Sequence, residues 1–173
     1  PTNATPAKTS ERANQQMYER KMIFEVDANQ IERLDANQVV ELLRRLVHAE
    51  LLTYGIPLRS GSVPAQITIA DGGEDGRVEW SGGPNQTDWL PSRYSVFQSK
   101  RGATSPSGLK KETWTKASQK SEDERILNEA LVQAIERSGA YIVVTATAVV
   151  GTKRTDRINA IRDGIKEAEH DPS

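Results

Sequence analysis

Apolar positions recur at helical spacing from Val39 onward, where Val39, Leu43, Leu46, Val47 and Tyr54 fall on one stripe. Asp35 with Gln38 three residues on reads as a capping box ahead of that stripe, and Gly55-Ile-Pro57 ends it. At about 100° per residue, position 50 lands about 20° from Val39. Glu50 therefore sits in the middle of the apolar face, while Glu41 points away. A carboxylate aimed at the core needs a reason. Three strand candidates follow: Gln66-Ile-Thr-Ile69, Arg77-Val-Glu-Trp80, and Tyr94-Ser-Val-Phe-Gln98-Ser-Lys100. The first two read as a hairpin closed by a glycine-rich bend. Ser121 with Glu124 forms a second capping box, predicting a helix whose stripe is Ile126, Leu127, Ala130, Leu131, Ala134 and Ile135 and whose stop is Gly139. Tyr141 to Val150 is β-branched and apolar on both faces, as a covered central strand would be. A last helix from about Thr155 to Glu169 carries Ile158, Ile161 and Ile165. The predicted class is α/β in the order α-β-β-β-α-β-α. Residues 1 to about 16 lack periodicity and predict a flexible lead-in to one domain spanning 17–170.

Composition narrows the chemistry. At 173 residues and 36% hydrophobic content the chain suits a single core. Lys and Arg number 23 against 24 Asp and Glu, so a nucleic-acid partner has to be held by a local patch. The absence of cysteine excludes disulfides, thiolate nucleophiles and cysteine zinc sites, and fits a reducing compartment. Two histidines, His48 and His170, exclude a three-histidine metal site. A metal must then bind oxygen ligands, which favours Mg²⁺, Mn²⁺ or Ca²⁺. No apolar run approaches the roughly 20 residues of a membrane span, and no signal-peptide core is visible, so a cytoplasmic protein is expected. The start at Pro1 and the ending His-Asp-Pro-Ser suggest a domain excised from a longer protein.

Candidate chemistry concentrates in two segments, Asp71-Gly-Gly-Glu-Asp75-Gly-Arg-Val-Glu79 and the strand ending Gln98-Ser-Lys100. On that strand Tyr94, Val96, Gln98 and Lys100 share one face, which turns polar at its last two positions. The bend supplies Asp71, Glu74 and Asp75, with glycines that let backbone approach a ligand. Taken alone such a bend is more often a hairpin turn, and Gln-x-Lys alone carries little information. The joint order of helix Glu, bend Asp and strand Gln-x-Lys is more specific.

With these motifs the chain resembles the PD-(D/E)XK nuclease superfamily, in particular its Mrr-like restriction-endonuclease branch, over roughly residues 35 to 168. The resemblance implies a restriction-endonuclease-like core with a mixed central sheet flanked by helices, and metal-dependent hydrolysis of DNA phosphodiesters with Mg²⁺ or Mn²⁺. It implies Asp75, Gln98 and Glu50 as metal-binding residues and Asp75, Gln98, Lys100 and Glu50 as the catalytic set. Such domains also occur as N-terminal effectors of bacterial antiviral STAND ATPases, which suits an excised defence or restriction effector with little sequence specificity. The chain departs from the family at Glu74, where an apolar residue is usual, and Gln98 is a weaker ligand than a carboxylate. Asp71 and Glu79 are not separated from turn and strand-surface roles.

From Lys100 to Lys120 six Lys and Arg stand against one acidic residue, Glu112. Read as a mobile cationic loop, this segment offers Arg101, Lys110, Lys111 and Lys116 as DNA-backbone contacts; a solvated lysine-rich loop reads equally well. A second cluster, Lys153-Arg154-Thr-Asp-Arg157, either binds phosphate or solvates a helix start. Double-strand cutting would call for a dimer or higher homo-oligomer. Two other readings stay open: a catalytically silent nuclease-like module that binds nucleic acid or mediates oligomerisation, and a structural domain whose bend is only a turn.

Overall fold

The computed structural model describes residues 26–64, 74–118 and 121–169. The predicted strand over 66–69, and Asp71, Gly72 and Gly73 of the predicted bend, lie outside these residues. Two helices open the described chain, α1 at Ala28–Glu32 and α2 at Ala36–Thr53. Asp35 caps α2 as its sequence implies, accepting from the Gln38 amide while Gln38 reaches back to the Asp35 N–H at 2.9 Å. A second capping box, Asp27 with Gln30, starts α1, which the periodicity does not reveal.

Strands β1 (Gly61–Ser62), β2 (Gly76–Glu79) and β3 (Tyr94–Lys100) come next, then the short helix α3 (Pro106–Lys111) and a hairpin of β4 (Trp114–Ser118) and β5 (Ser121–Leu127). Helix α4 (Glu129–Glu136), strand β6 (Ala140–Thr145) and helix α5 (Thr152–Glu169) complete the order. The main sheet runs β1-β2-β3-β6, antiparallel at the first two joins and parallel between β3 and β6, while β4 and β5 form a separate pair. The result is a mixed α/β architecture with helices against a mixed central sheet.

Strand β3 divides the core. Phe97 belongs to the cluster built on Val40, Leu43, Val47 and Leu51 of α2, whereas Tyr94 and Val96 pack with Ala130 and Ala134 of α4. Alternation along the strand sends successive side chains to opposite faces, so α2 covers one face and α4 the other.

Four sequence expectations are corrected. Ser121 does not cap a helix: residues 121–127 form β5, paired antiparallel with β4, and Asn128 caps α4 by accepting from the Leu131 amide at 2.8 Å. Cross-strand pairing satisfies the backbone there, which a local capping pattern cannot register. Ile126 and Ile135, expected in the buried stripe, are about half exposed, as is Leu46 on α2. Among the described residues strand β6 is not central but an edge strand, half-buried throughout and ending at Thr145. The expected mobile loop between Lys100 and Lys120 instead contains α3 and β4.

Two glycines are set by close approach. A Cβ on Gly139 would lie 2.6 Å from the Tyr94 carbonyl oxygen, and Ser138 rather than Gly139 takes the positive φ at the end of α4. On α5, a Cβ at Gly164 would stand 2.3 Å from Thr113 Oγ1 and 2.9 Å from the Lys110 carbonyl oxygen, so α5 rests almost directly on the end of α3. Gly164→Ala is expected to destabilise the protein by about 1–3 kcal/mol despite alanine's better helix propensity, read as a lower midpoint in denaturant unfolding. An unchanged or raised midpoint would mean that α5 does not sit this close.

Candidate active site

The site grows from the polar end of β3. Gln98 is 3% exposed although it is an amide, so its polar atoms must be paired within the protein. Its Nε2 donates to Glu112 Oε2 at 2.8 Å, and its Oε1 accepts from the Tyr141 hydroxyl at 2.5 Å. Two residues on, and on the same face, the Lys100 ammonium donates to Glu112 Oε1 at 2.8 Å. One carboxylate therefore ties both polar side chains of the strand end to the residue that follows α3.

Asp75 joins from β2. Gly76 pairs with Phe97, and the Asp75 N–H continues that ladder to the Phe97 carbonyl at 2.8 Å, which brings Asp75 beside Gln98. Its Oδ2 accepts from the Ser99 amide at 2.5 Å. The structure thus brings together Asp75, Gln98 and Lys100, which stand 23 and 25 positions apart in the sequence. Glu50 is not brought to them. It is 8% exposed on the α2 side of the sheet, the face of Phe97, and its Oε1 accepts from the Trp89 amide at 3.4 Å. Nearby, a hydrogen bond to Asp88 holds the Tyr54 hydroxyl above its ordinary pKa, with burial and the charges of Asp88 and Glu50 adding to it. Glu74 faces Arg77 at 3.6 Å and Glu79 pairs with Arg137 at 2.7 Å, so each has a structural partner.

The proposed DNA contacts divide. Arg101 and Lys111 are exposed, and Lys116 lies on β4. Lys110 donates to Glu167 at 2.6 Å, and Arg125 reaches the same carboxylate at 3.1 Å. The Lys110 hydrogen bond leads the effects that hold the Glu167 carboxyl below its usual range.

Three residues of the cluster were not read from the sequence: Glu112, Tyr141 and Asn128. Asn128 is 3% exposed and donates to the Glu112 carbonyl at 2.6 Å while capping α4, so one side chain fixes both neighbours. Glu112 did leave a signal. It is the lone carboxylate of a basic segment and stands at the C-cap of α3, where a negative charge opposes the helix dipole unless a cation meets it. Tyr141 left none, because in sequence it is one more member of an apolar strand.

The side-chain atoms here that could ligate a metal are oxygens; the Gln98, Lys100 and Asn128 nitrogens donate hydrogen bonds instead. Asp75 and Glu112 carry the negative charge, and Gln98 adds a neutral carbonyl. Among the described residues, no group of three or more His, Cys, Asp and Glu is placed to hold a metal ion. Asp75 and Glu112 are the carboxylates a Mg²⁺ or Mn²⁺ ion could use, since magnesium is commonly held by one or two carboxylates together with substrate phosphates.

Burial first, then the charges of Glu112 and Asp75, push the Tyr141 hydroxyl far above its ordinary value, with only partial relief from the Asn128 side chain. Tyr141 therefore stays protonated and donates to Gln98 throughout the neutral range. Because the folded pKa lies above the unfolded one, this contribution is complete below about pH 10 and is lost as pH rises from there toward the folded value. Tyr141→Phe is expected to flatten the alkaline fall in stability and to cost about 0.5–1.5 kcal/mol at neutral pH. Denaturant unfolding across a pH series checks both, and an unaltered alkaline slope would refute the assignment.

Compared with protein-family models, curated proteins and solved structures, the chain matches none of them, so its own residues carry the functional reading.

Proposed function

We propose that this chain is a metal-dependent nuclease domain hydrolysing DNA phosphodiesters, with a restriction-endonuclease-like core. The observation that carries this reading is the convergence of Asp75, Gln98 and Lys100 at one end of β2 and β3, with Glu112 between the last two. An antiparallel β1-β2-β3 unit followed by a parallel β6 is a sheet of the kind the resemblance implies.

Asp75 and Glu112 would hold Mg²⁺ or Mn²⁺, which when bound would polarise a phosphoryl oxygen and acidify a water, while Gln98 positions Glu112 through its NH₂ group. Lys100 spends one N–H on Glu112 and keeps donor capacity for a phosphate oxygen, where charge grows as water adds to phosphorus and one P–O bond breaks. Tyr141 keeps the Gln98 amide from turning, so the carbonyl and NH₂ ends hold their assigned directions. Asn128 does the same for the backbone of Glu112. Glu50, across the sheet, supports the Trp89 loop rather than the reacting centre.

A second reading, a silent module of the same fold that binds nucleic acid, is favoured by one feature: Glu112 engages both Gln98 and Lys100, and among the described residues the cluster has only two carboxylates. Cleavage of supercoiled plasmid separates the two. With Mg²⁺ or Mn²⁺ the wild-type protein is expected to nick or linearise the plasmid, EDTA to stop it, and Asp75→Ala or Lys100→Ala to lower the rate by about 100-fold or more with the fold retained by circular dichroism. Full activity in both variants would end the nuclease reading; metal-independent DNA binding without cutting would favour the silent module.

A further inference from the structure

On the Gln98 face of the sheet, a cavity of about 460 Å³ opens between edge strand β6, α3 and the start of α5. Its size falls within the roughly 300–1,000 Å³ of small-molecule sites. We propose that this cavity binds a nucleoside phosphate, the base against its apolar wall and the phosphate at Arg154.

Three features support that ligand class. The wall is mainly apolar, formed by residues such as Val143, Val149, Ile158 and Ile161, with Thr104, Thr145 and Thr147 among the lining residues. The Thr145 hydroxyl is already spent on the Thr147 carbonyl at 2.7 Å, which leaves Thr104 and Thr147 to offer hydroxyls that a hydrocarbon chain would not use and a base and sugar would. The lining includes two arginines and no acidic side chain. Arg157 is held in place, donating from Nε to the Thr104 carbonyl at 2.8 Å and from Nη1 to the Lys153 carbonyl at 2.9 Å. Arg154 has no hydrogen-bonded or ion-paired side-chain partner among the described residues, and its guanidinium fork suits a phosphate. Both arginines stand near the N-terminal end of α5, whose first turn has no acidic residue, so the helix end adds positive potential.

The cavity also adjoins the cluster on β3. Tyr141 forms part of its wall, and the same residue's hydroxyl donates to Gln98. A nucleotide held here would be one residue removed from the Asp75, Gln98, Lys100 and Glu112 group. Assigning it to a strand being cut rests on the nuclease reading; binding a nucleoside phosphate does not.

The test is isothermal titration in EDTA, where no cleavage occurs, with deoxyadenosine 5′-monophosphate and with a short single-stranded oligonucleotide. Two variants sit at exposed positions and spare the core, Arg154→Glu and the mouth-blocking Ala148→Trp. The wild-type protein is expected to bind the monophosphate, and each variant to weaken it about tenfold or more with an unchanged melting temperature. Parallel loss of oligonucleotide binding assigns the cavity to a strand; loss of monophosphate binding alone assigns it to a free nucleotide. No monophosphate binding by the wild-type protein, or equal binding by both variants, overturns the proposal. Plasmid cutting is scored separately, so a protein that binds nucleotide here and never cuts refutes the nuclease reading and leaves this one standing.

Discussion

Burial of β3 on both faces is the constraint from which the rest of the structure follows. Tyr94 through Gln98 are all buried, and the strand is hydrogen-bonded on both sides, antiparallel to β2 and parallel to β6. A strand in that position has no solvent-facing side, so each residue must find its complement inside the protein. Phe97 meets the apolar stripe of α2 and Val96 meets α4. Gln98, buried with a polar end, must be matched by polar groups brought from elsewhere.

That requirement explains the insertion between β3 and α4. Helix α3 turns the chain back toward the sheet and ends at Glu112, whose carboxylate answers both Gln98 and Lys100. Asn128 then ties the Glu112 backbone to the start of α4, and Tyr141 closes the network from β6. The polar cluster is therefore assembled from β2, β3, β6 and the two connections around β4 and β5. Removing Glu112 would leave the amide of Gln98, which is buried, without its carboxylate partner, which is why the network favours a single geometry. Helix α5 closes the same side of the molecule, and its approach at Gly164 is tight enough to keep α3 against it.

The two faces of the sheet are put to different uses. The α2 face is mainly a packed apolar layer, with Glu50 at its edge supporting the Trp89 loop and the Trp89 ring 6.0 Å from Phe97. The α4 and α5 face carries the charged cluster and the cavity beside it. Lys110, Arg125 and Glu167 form a bridge between α3, β5 and α5, so part of the basic segment is spent on structure, while Arg101 and Lys111 stay exposed to solvent.

The sequence by itself determined what depends on near neighbours: the Asp35–Gln38 cap, the α2 stripe with Glu50 buried in it, and β3 with its polar end at Gln98 and Lys100. Period and capping are set within a few residues, so a linear pattern reports them. It misled where a local preference competed with distant pairing, as at Ser121, whose capping pattern lost to the β4–β5 ladder. It was silent on which strand lies at the edge, because the apolar run at Tyr141 satisfies either place until the sheet order is known. Only the tertiary structure decided that Glu50 faces away from Asp75 and that Glu112 takes the place between Gln98 and Lys100. The reason is physical: a carboxylate's role depends on which charges and amides lie within about 3 Å of it, and those neighbours are chosen by packing, not by spacing along the chain.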